Sequence, residues 1–260
     1  MLSESPQDTA CVGVDAKMED TYASLAERVI SRYQRQSTAN ELKNNQLFIG
    51  IAGGPGSGKS TLVDAVARRI NAQMQDDEAC ICIPMDGFHY TRAKLKSMGD
   101  SSDNDYTYDD LLARRGAPWT FDAEGCIKKF TEARDNGEAS LPIYSRVKSD
   151  PVENCVALKS ETKIVLMEGN YLLSWRDSRW QPLQTNEVFD ETWYIRCKDL
   201  TDQRERLVKR HLETWSEEKT KMWGSGAQGA GAKADSNDIL NLVWIEDMSK
   251  GYADLTIESV

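Results

Sequence analysis

Apolar positions recur along this chain in two rhythms. From Glu19 to Gln36 the positions Tyr22, Leu25, Val29, Ile30 and Tyr33 fall at helical spacing, which predicts an amphipathic helix packed on the rest of the chain or on a partner. Asn44 and Asn45 close that region, and Gln46–Ala52 (QLFIGIA) is an unbroken apolar run before glycines, the mark of a strand covered on both faces. A helical pattern follows over Ser60–Met74. Ala79–Met85 is a second short strand, Lys163–Met167 (KIVLM) a third and Trp193–Cys197 a fourth. Asp122–Asp135 reads as a helix begun by an Asp cap, Leu141–Tyr144 as short and extended, and Leu200–Trp215 as a basic helix. Ile239–Met248 is a last helix and Asp254–Ile257 a last strand.

Three stretches lack either rhythm. Residues 1 to 16 are mixed and polar and are expected to be poorly ordered. Residues 97 to 110, rich in Ser, Asp, Asn and Gly, are expected to form a polar loop. Residues 224 to 236, rich in Gly and Ala, are expected to form a flexible one. The alternation elsewhere predicts one α/β domain over 46 to 260, with a mostly parallel sheet and helices on both faces, preceded by an extension over 1 to 45 that carries the first helix. Ligands bind such sheets beyond the carboxyl ends of the strands. Gly53–Ser60, Asp86, Glu168 and the loop after Ile195 all fall at such ends.

Composition narrows the function classes. The chain has 260 residues, 40% hydrophobic and 28% charged, with a formal net charge of −10. That acidity argues against a nucleic-acid partner, which needs clustered Lys and Arg. Six cysteines with no C-x-x-C pair and only two His make a zinc site unlikely on spacing, and Cys80 and Cys82 read as reduced strand residues. No run of 18 apolar residues occurs and the N-terminus lacks a signal-peptide core, so a cytoplasmic protein without a membrane span is expected.

The chemistry starts at Gly53-Gly54-Pro55-Gly56-Ser57-Gly58-Lys59-Ser60, followed by Thr61, which fits G-x-x-x-x-G-K-[ST] between a strand and a helix. Glycines let backbone N–H groups curl around phosphate oxygens, and the following helix points its positive end at them. Lys59 would reach the β- and γ-phosphates of ATP and the Ser60 hydroxyl would reach Mg²⁺. Glu168, ending the KIVLM strand, is placed to hold Mg²⁺ directly or through water, or else is a solvated strand-end acid. Asp86 in PMDGFHY is either a base for an acceptor hydroxyl or the first half of an Asp-Gly turn. Arg204, Arg206, Lys209, Arg210 and His211 form either a solvated basic face, with pairs such as Glu205–Lys209, or a lid over a transferring phosphoryl group. Arg146, after Leu141-Pro142, is a candidate for gripping an anionic substrate group.

The ordered set GGPGSGKST, PMDGFHY, RRGAPWTFD, LPIYSR, IVLMEGNYLL, RERLVKRHL and SNDILNLV resembles the uridine kinase, pantothenate kinase and phosphoribulokinase group of P-loop kinases, and within it the uridine kinase-like branch. The resemblance spans roughly residues 46 to 258 and implies a P-loop NTPase fold with a nucleoside-kinase-like lid. It implies that Asp86 is the base, that Glu168 is the carboxylate of the second nucleotide motif, and that Arg206 and Arg210 belong to the lid. It places Asn241 near the adenine and Tyr144 in the substrate pocket. His89 followed by Tyr90 departs from the uridine kinase pattern, and Arg146 stands where pantothenate kinases carry His. With Asp86, the residues His89, Tyr144 and Arg146 are the candidates for holding the acceptor. The expected activity is transfer of the γ-phosphoryl of ATP to a hydroxyl of a small molecule, in a monomer or a homodimer. The alternative is a switch or assembly factor that hydrolyses ATP slowly and uses the N-terminal helix as its partner surface.

Overall fold

The computed structural model describes residues 18–101 and 105–260; the expectation for residues 1 to 16 lies outside them. The helices are α1 (Glu19–Thr38), α2 (Lys59–Met74), α3 (Arg92–Gly99), α4 (Tyr108–Ala113), α5 (Ala123–Asn136), α6 (Pro182–Thr185), α7 (Leu200–Glu213), α8 (Glu217–Trp223), α9 (Gly226–Lys233) and α10 (Ile239–Ser249). The strands are β1 (Leu47–Ala52), β2 (Cys80–Pro84), β3 (Ala139–Ser145), β4 (Asp150–Leu158), β5 (Ile164–Gly169), β6 (Glu191–Cys197) and β7 (Leu255–Ser259).

Five strands form one sheet in the order β2-β5-β1-β6-β7, and every pair in it is parallel. All six residues of β1 are buried, as its unbroken apolar run predicts. Alternation sorts them to two cores. Leu47, Ile49 and Ile51 meet α1 and α2 on one face. Phe48 and Ala52 meet Cys126 and Phe130 of α5 and the segment from Tyr171 to Trp180 on the other.

The apolar face of α1 is spent within this chain: Tyr22, Leu25, Ala26, Val29 and Tyr33 are buried against α2 and the sheet. Each fully buried Leu or Val contributes about 1.5–3 kcal/mol. Arg28 and Arg32 then clamp the buried Glu191 at the start of β6, at 2.7 and 2.6 Å. The helix predicted after Asp122 is α5, and the Asp122 side chain accepts from the Gly125 N–H as a cap.

Two expectations need correction. The stretch 97–110 is not a continuous loop, because it holds the end of α3 and the start of α4. Thr107 and Asp110 build a reciprocal capping box that the polar composition hides. Residues 224 to 236 are largely helical, with α9 running into a π-helical turn at Ala234–Asp238 and on into α10. Gly229 serves close packing: a Cβ on it would sit 2.2 Å from the Gly224 carbonyl oxygen. Leu141–Tyr144 is part of an antiparallel hairpin, β3 with β4, and β4 leaves no clear pattern because most of it is exposed or half-exposed. That hairpin leans on the turn after β2, where a Cβ on Gly87 would lie 2.3 Å from the Pro142 carbonyl oxygen.

Candidate active site

The carboxyl ends of β1, β5 and β2 present Lys59, Glu168 and Asp86 along one rim, because the three strands are adjacent and in register. The loop Gly53–Gly58 leads into α2, with Gly56 and Gly58 at positive φ (+76° and +89°). The Lys59 ammonium is buried. It donates to the Gly53 and Gly54 carbonyls at 2.8 and 3.1 Å and to Asn170 Oδ1 at 2.9 Å. Burial pushes its pKa down, while Glu168 and Asp86 pull it back up and Arg210 adds to the lowering. The buried Ser57 hydroxyl in the same loop has no hydrogen-bond partner.

Ser60, exposed at the first turn of α2 beside Thr61, donates from Oγ to Glu168 Oε1 at 2.9 Å. Burial raises the Glu168 pKa; Lys59 opposes the rise and Asp86 adds to it. Two carboxylates and one ammonium thus share a partly dry space. Among the described residues no group of three or more His, Cys, Asp or Glu is gathered closely enough to hold a metal. A hard cation at Ser60 and Glu168 needs further oxygens from its ligand.

Asp86 sits exposed on the 3₁₀ turn Met85–Phe88. Its carbonyl accepts from His89 Nδ1–H at 2.8 Å, which orients the imidazole. The His89 ring lies 3.9 Å from Phe121 and 4.9 Å from Tyr144 between centroids. Burial lowers the His89 pKa despite Asp86, so the ring is neutral near pH 7. Arg115 caps this aromatic group, 5.3 Å from the Tyr144 centroid, and is held by Asp150 at 2.7 Å and by the Tyr90 carbonyl at 2.8 Å. Arg146 is not brought to this group: it is exposed in the turn between β3 and β4.

The basic helix α7 touches the loop Gly53–Gly58 directly. Gln203 Nε2 donates to the Pro55 carbonyl at 2.7 Å, and Leu207 packs where a Cβ on Gly56 would fall, 2.9 Å from its Cγ. Arg210 lies within electrostatic reach of Lys59 and 3.9 Å from Asp238. Arg206, half-buried on the same helix, has no hydrogen bond or ion pair among the described residues. The π turn holds the other side of the lid: Asp238 meets His211 Nε2 at 2.8 Å and Asp235 meets Arg204 at 2.6 and 2.7 Å.

A cleft of about 310 Å³ opens beside the phosphate loop between Gly54, Ile195, Cys197, Leu242 and Glu246. Asn241 turns away from it. Its buried amide accepts from Arg114 and donates to Asn237, both at 3.3 Å. A larger cavity of about 560 Å³ lies at the opposite, amino end of the sheet near Arg134, Trp175 and Tyr252, and holds none of these groups.

Asn170, Gln203 and Arg115 are the residues that the sequence pattern does not single out. Asn170 follows the Glu168-Gly169 pair directly, and Gln203 precedes Leu207 by one helical repeat. Those spacings were the available signals, but neither names a partner.

No family model matches the chain. Over 243 residues it is 31% identical to the "Putative uridine kinase" of Schizosaccharomyces pombe, an alignment covering 90% of this chain and 88% of that one. The crystal structure titled "putative fructose transport system kinase" from Silicibacter sp. TM1040 superposes with a TM-score of 0.70 at 28% identity, covering 91% of this chain and 98% of that one. The crystal structure of YFH7 from Saccharomyces cerevisiae shares the fold, with a TM-score of 0.72 at 18% identity over 92% of this chain and 99% of that one.

Proposed function

Because the chain belongs to the uridine kinase-like group of P-loop kinases, we propose that it transfers the γ-phosphoryl group of ATP to a hydroxyl of a small metabolite. The observation that carries this reading is the shared rim: Asp86 stands within electrostatic reach of both Lys59 and Glu168, beside the aromatic group of His89, Phe121 and Tyr144. A slow hydrolase has no need of a carboxylate flanked by an aromatic pocket.

The residues fit a nucleotide and a hard cation. The curled glycine loop, the unpartnered Ser57 hydroxyl and the buried Lys59 suit phosphate oxygens. Ser60 and Glu168 would hold Mg²⁺, which supplies charge neutralisation at the transferring group. The cleft beside Gly54 would take the adenine, with Leu242 as its apolar wall. In transfer, Lys59 would leave its carbonyl partners for phosphate oxygens. Arg206 and Arg210 would cover the same charge from α7. Asp86 would accept a hydrogen bond from the acceptor hydroxyl and take its proton as the new P–O bond forms.

The test is ATP turnover with and without a panel of nucleosides, vitamins, hydroxy acids and sugar phosphates. Strong stimulation by one compound, with formation of its phosphate ester, supports the kinase. Slow turnover that no compound raises favours the switch acting on a protein.

A further inference from the structure

The segment Arg114–Trp119 contains hydrogen-bond donors that lack acceptors. The buried Trp119 Nε1–H and the buried Arg115 Nε–H have no partner. Arg114 stacks on Trp119, with its guanidinium carbon 5.2 Å from the ring centroid. Its hydrogen bonds go only to neutral amides, from Nε to Asn237 Oδ1 at 3.2 Å and from Nη2 to Asn241 Oδ1 at 3.3 Å. Among the described residues no carboxylate pairs with it, whereas the adjacent Arg115 is balanced by Asp150. A half-buried guanidinium held by two amides keeps its full charge and its unused donors. Two long hydrogen bonds to amides do not neutralise a half-buried cation.

The position matters as much as the charge. The loop is tied to the active-site floor because the Tyr171 hydroxyl donates to the Gly116 carbonyl. Asp86 and Arg114 both act electrostatically on that buried Tyr171 phenol, as do Arg179 and Asp238. Asn237 and Asn241 come from the π turn and α10, the same segment whose Asp235 and Asp238 hold the lid helix. Arg114 therefore lies between the acceptor side and the lid side.

We propose that Arg114, with the Trp119 indole N–H beside it, recognises an oxyanion on the acceptor, so that the phosphorylated molecule is a hydroxyl compound bearing a carboxylate or a phosphate. Arg is suited to this because its planar fork matches two oxygens of either group. The amides of Asn237 and Asn241 orient the fork without neutralising it. Calling the anion an acceptor rests on the kinase reading; the anion site itself does not.

The experiment fills the nucleotide site first, with a non-hydrolysable ATP analogue and Mg²⁺, so that added anions cannot occupy the phosphate loop. Inorganic phosphate and glycolate are then titrated by calorimetry into the parent, Arg114→Gln and Arg114→Lys. The expected result is binding of one anion to the parent, weakened about 10- to 100-fold in Arg114→Gln and less in Arg114→Lys. Preference for phosphate points to a sugar-phosphate acceptor, and preference for glycolate to a hydroxy acid. Binding equal in the parent and Arg114→Gln overturns the proposal, as does no binding to the parent. A neutral nucleoside emerging as the best acceptor in the turnover panel, with its KM unchanged in Arg114→Gln, also overturns it while the kinase reading stands. Arg114-dependent anion binding in a protein whose ATP turnover no compound raises leaves the anion site intact and defeats the kinase reading. Thermal denaturation of each variant checks its folding.

Discussion

Gln203 donates to the Pro55 carbonyl at 2.7 Å, so α7 is fastened to the loop Gly53–Gly58 by a buried hydrogen bond. Leu207, one turn on, fills the space above Gly56. These two contacts fix how α7 sits on the loop. Gln203→Ala removes one buried bond, a loss of about 0.5–1.5 kcal/mol. The expected outcome is a several-fold fall in kcat and a small rise in KM for ATP, measured by steady-state kinetics. An unchanged kcat would mean that the contact does not position the lid.

Two arginines follow on the same helix, Arg206 half-buried and Arg210 exposed. Among the described residues Arg206 has no ion-pair partner, and Arg210 stands 3.9 Å from Asp238. Arg206→Ala and Arg210→Ala are each expected to lower kcat by one to two orders of magnitude, about 1.4 kcal/mol per tenfold. ATP affinity should change little. If kcat and KM for ATP both stay at parent values in the two variants, α7 is a solvated face.

Lys59 is fully engaged by Gly53, Gly54 and Asn170. Lys59→Ala is expected to fold normally and to lose phosphoryl transfer by about 10² or more, the size found for groups aimed at developing charge. Circular dichroism and turnover measured side by side check this. Near-parent turnover in a folded variant removes Gly53–Ser60 from the active site.

Asp86 separates chemistry from metal binding. Asp86→Asn keeps the size and removes the basicity. It should bind ATP nearly as the parent does and transfer to the acceptor roughly a hundredfold more slowly. Background hydrolysis by water should fall less. Calorimetry of ATP binding beside rates with and without acceptor gives the answer. Parallel loss of affinity and rate would assign Asp86 to the cation instead.

Glu191 tests how α1 is held. Burial works against its ionisation, but the Trp193 indole N–H, Arg28 and Arg32 outweigh it and hold the carboxyl below the usual glutamate range. A depressed folded pKa means that this stabilisation is present above the unfolded value, about pH 4.3, and fades as pH falls through the folded one. Glu191→Gln is expected to cost about 1–3 kcal/mol at pH 7. The difference between parent and variant should shrink below about pH 4. Urea denaturation at several pH values measures it, and a difference independent of pH would show that the charge on Glu191 is immaterial.

The strands of the parallel sheet, the phosphate loop and the capped helix α5 were legible because their causes are local. An apolar run at β1, a Gly-rich turn before Lys59 and an Asp before a helical repeat each act over a few neighbouring residues. The reading failed where composition stood in for packing. Gly and Ala at 224 to 236 suggest mobility, but the backbone at Gly229 approaches Gly224 too closely for a Cβ, and Arg204 and Asp235 pin the turn. Arg146 and Asn241 were named by position in a motif, and the fold turns the first to solvent and the second to Arg114.

By itself the sequence determined a parallel α/β sheet with Lys59, Glu168 and Asp86 at the carboxyl ends of its strands. Strand direction and the alternation of elements follow from hydrophobic period and chain connectivity, which are properties of neighbours in the chain. Only the tertiary structure decided that Asn170 meets Lys59 across 111 positions, that Gln203 meets Pro55 across 148, and that Arg114 faces Asn237 and Asn241. Those pairings form because burying the sheet and the lid leaves polar groups with few partners in reach. Which groups end up together depends on the packing of distant elements, and no local spacing encodes it.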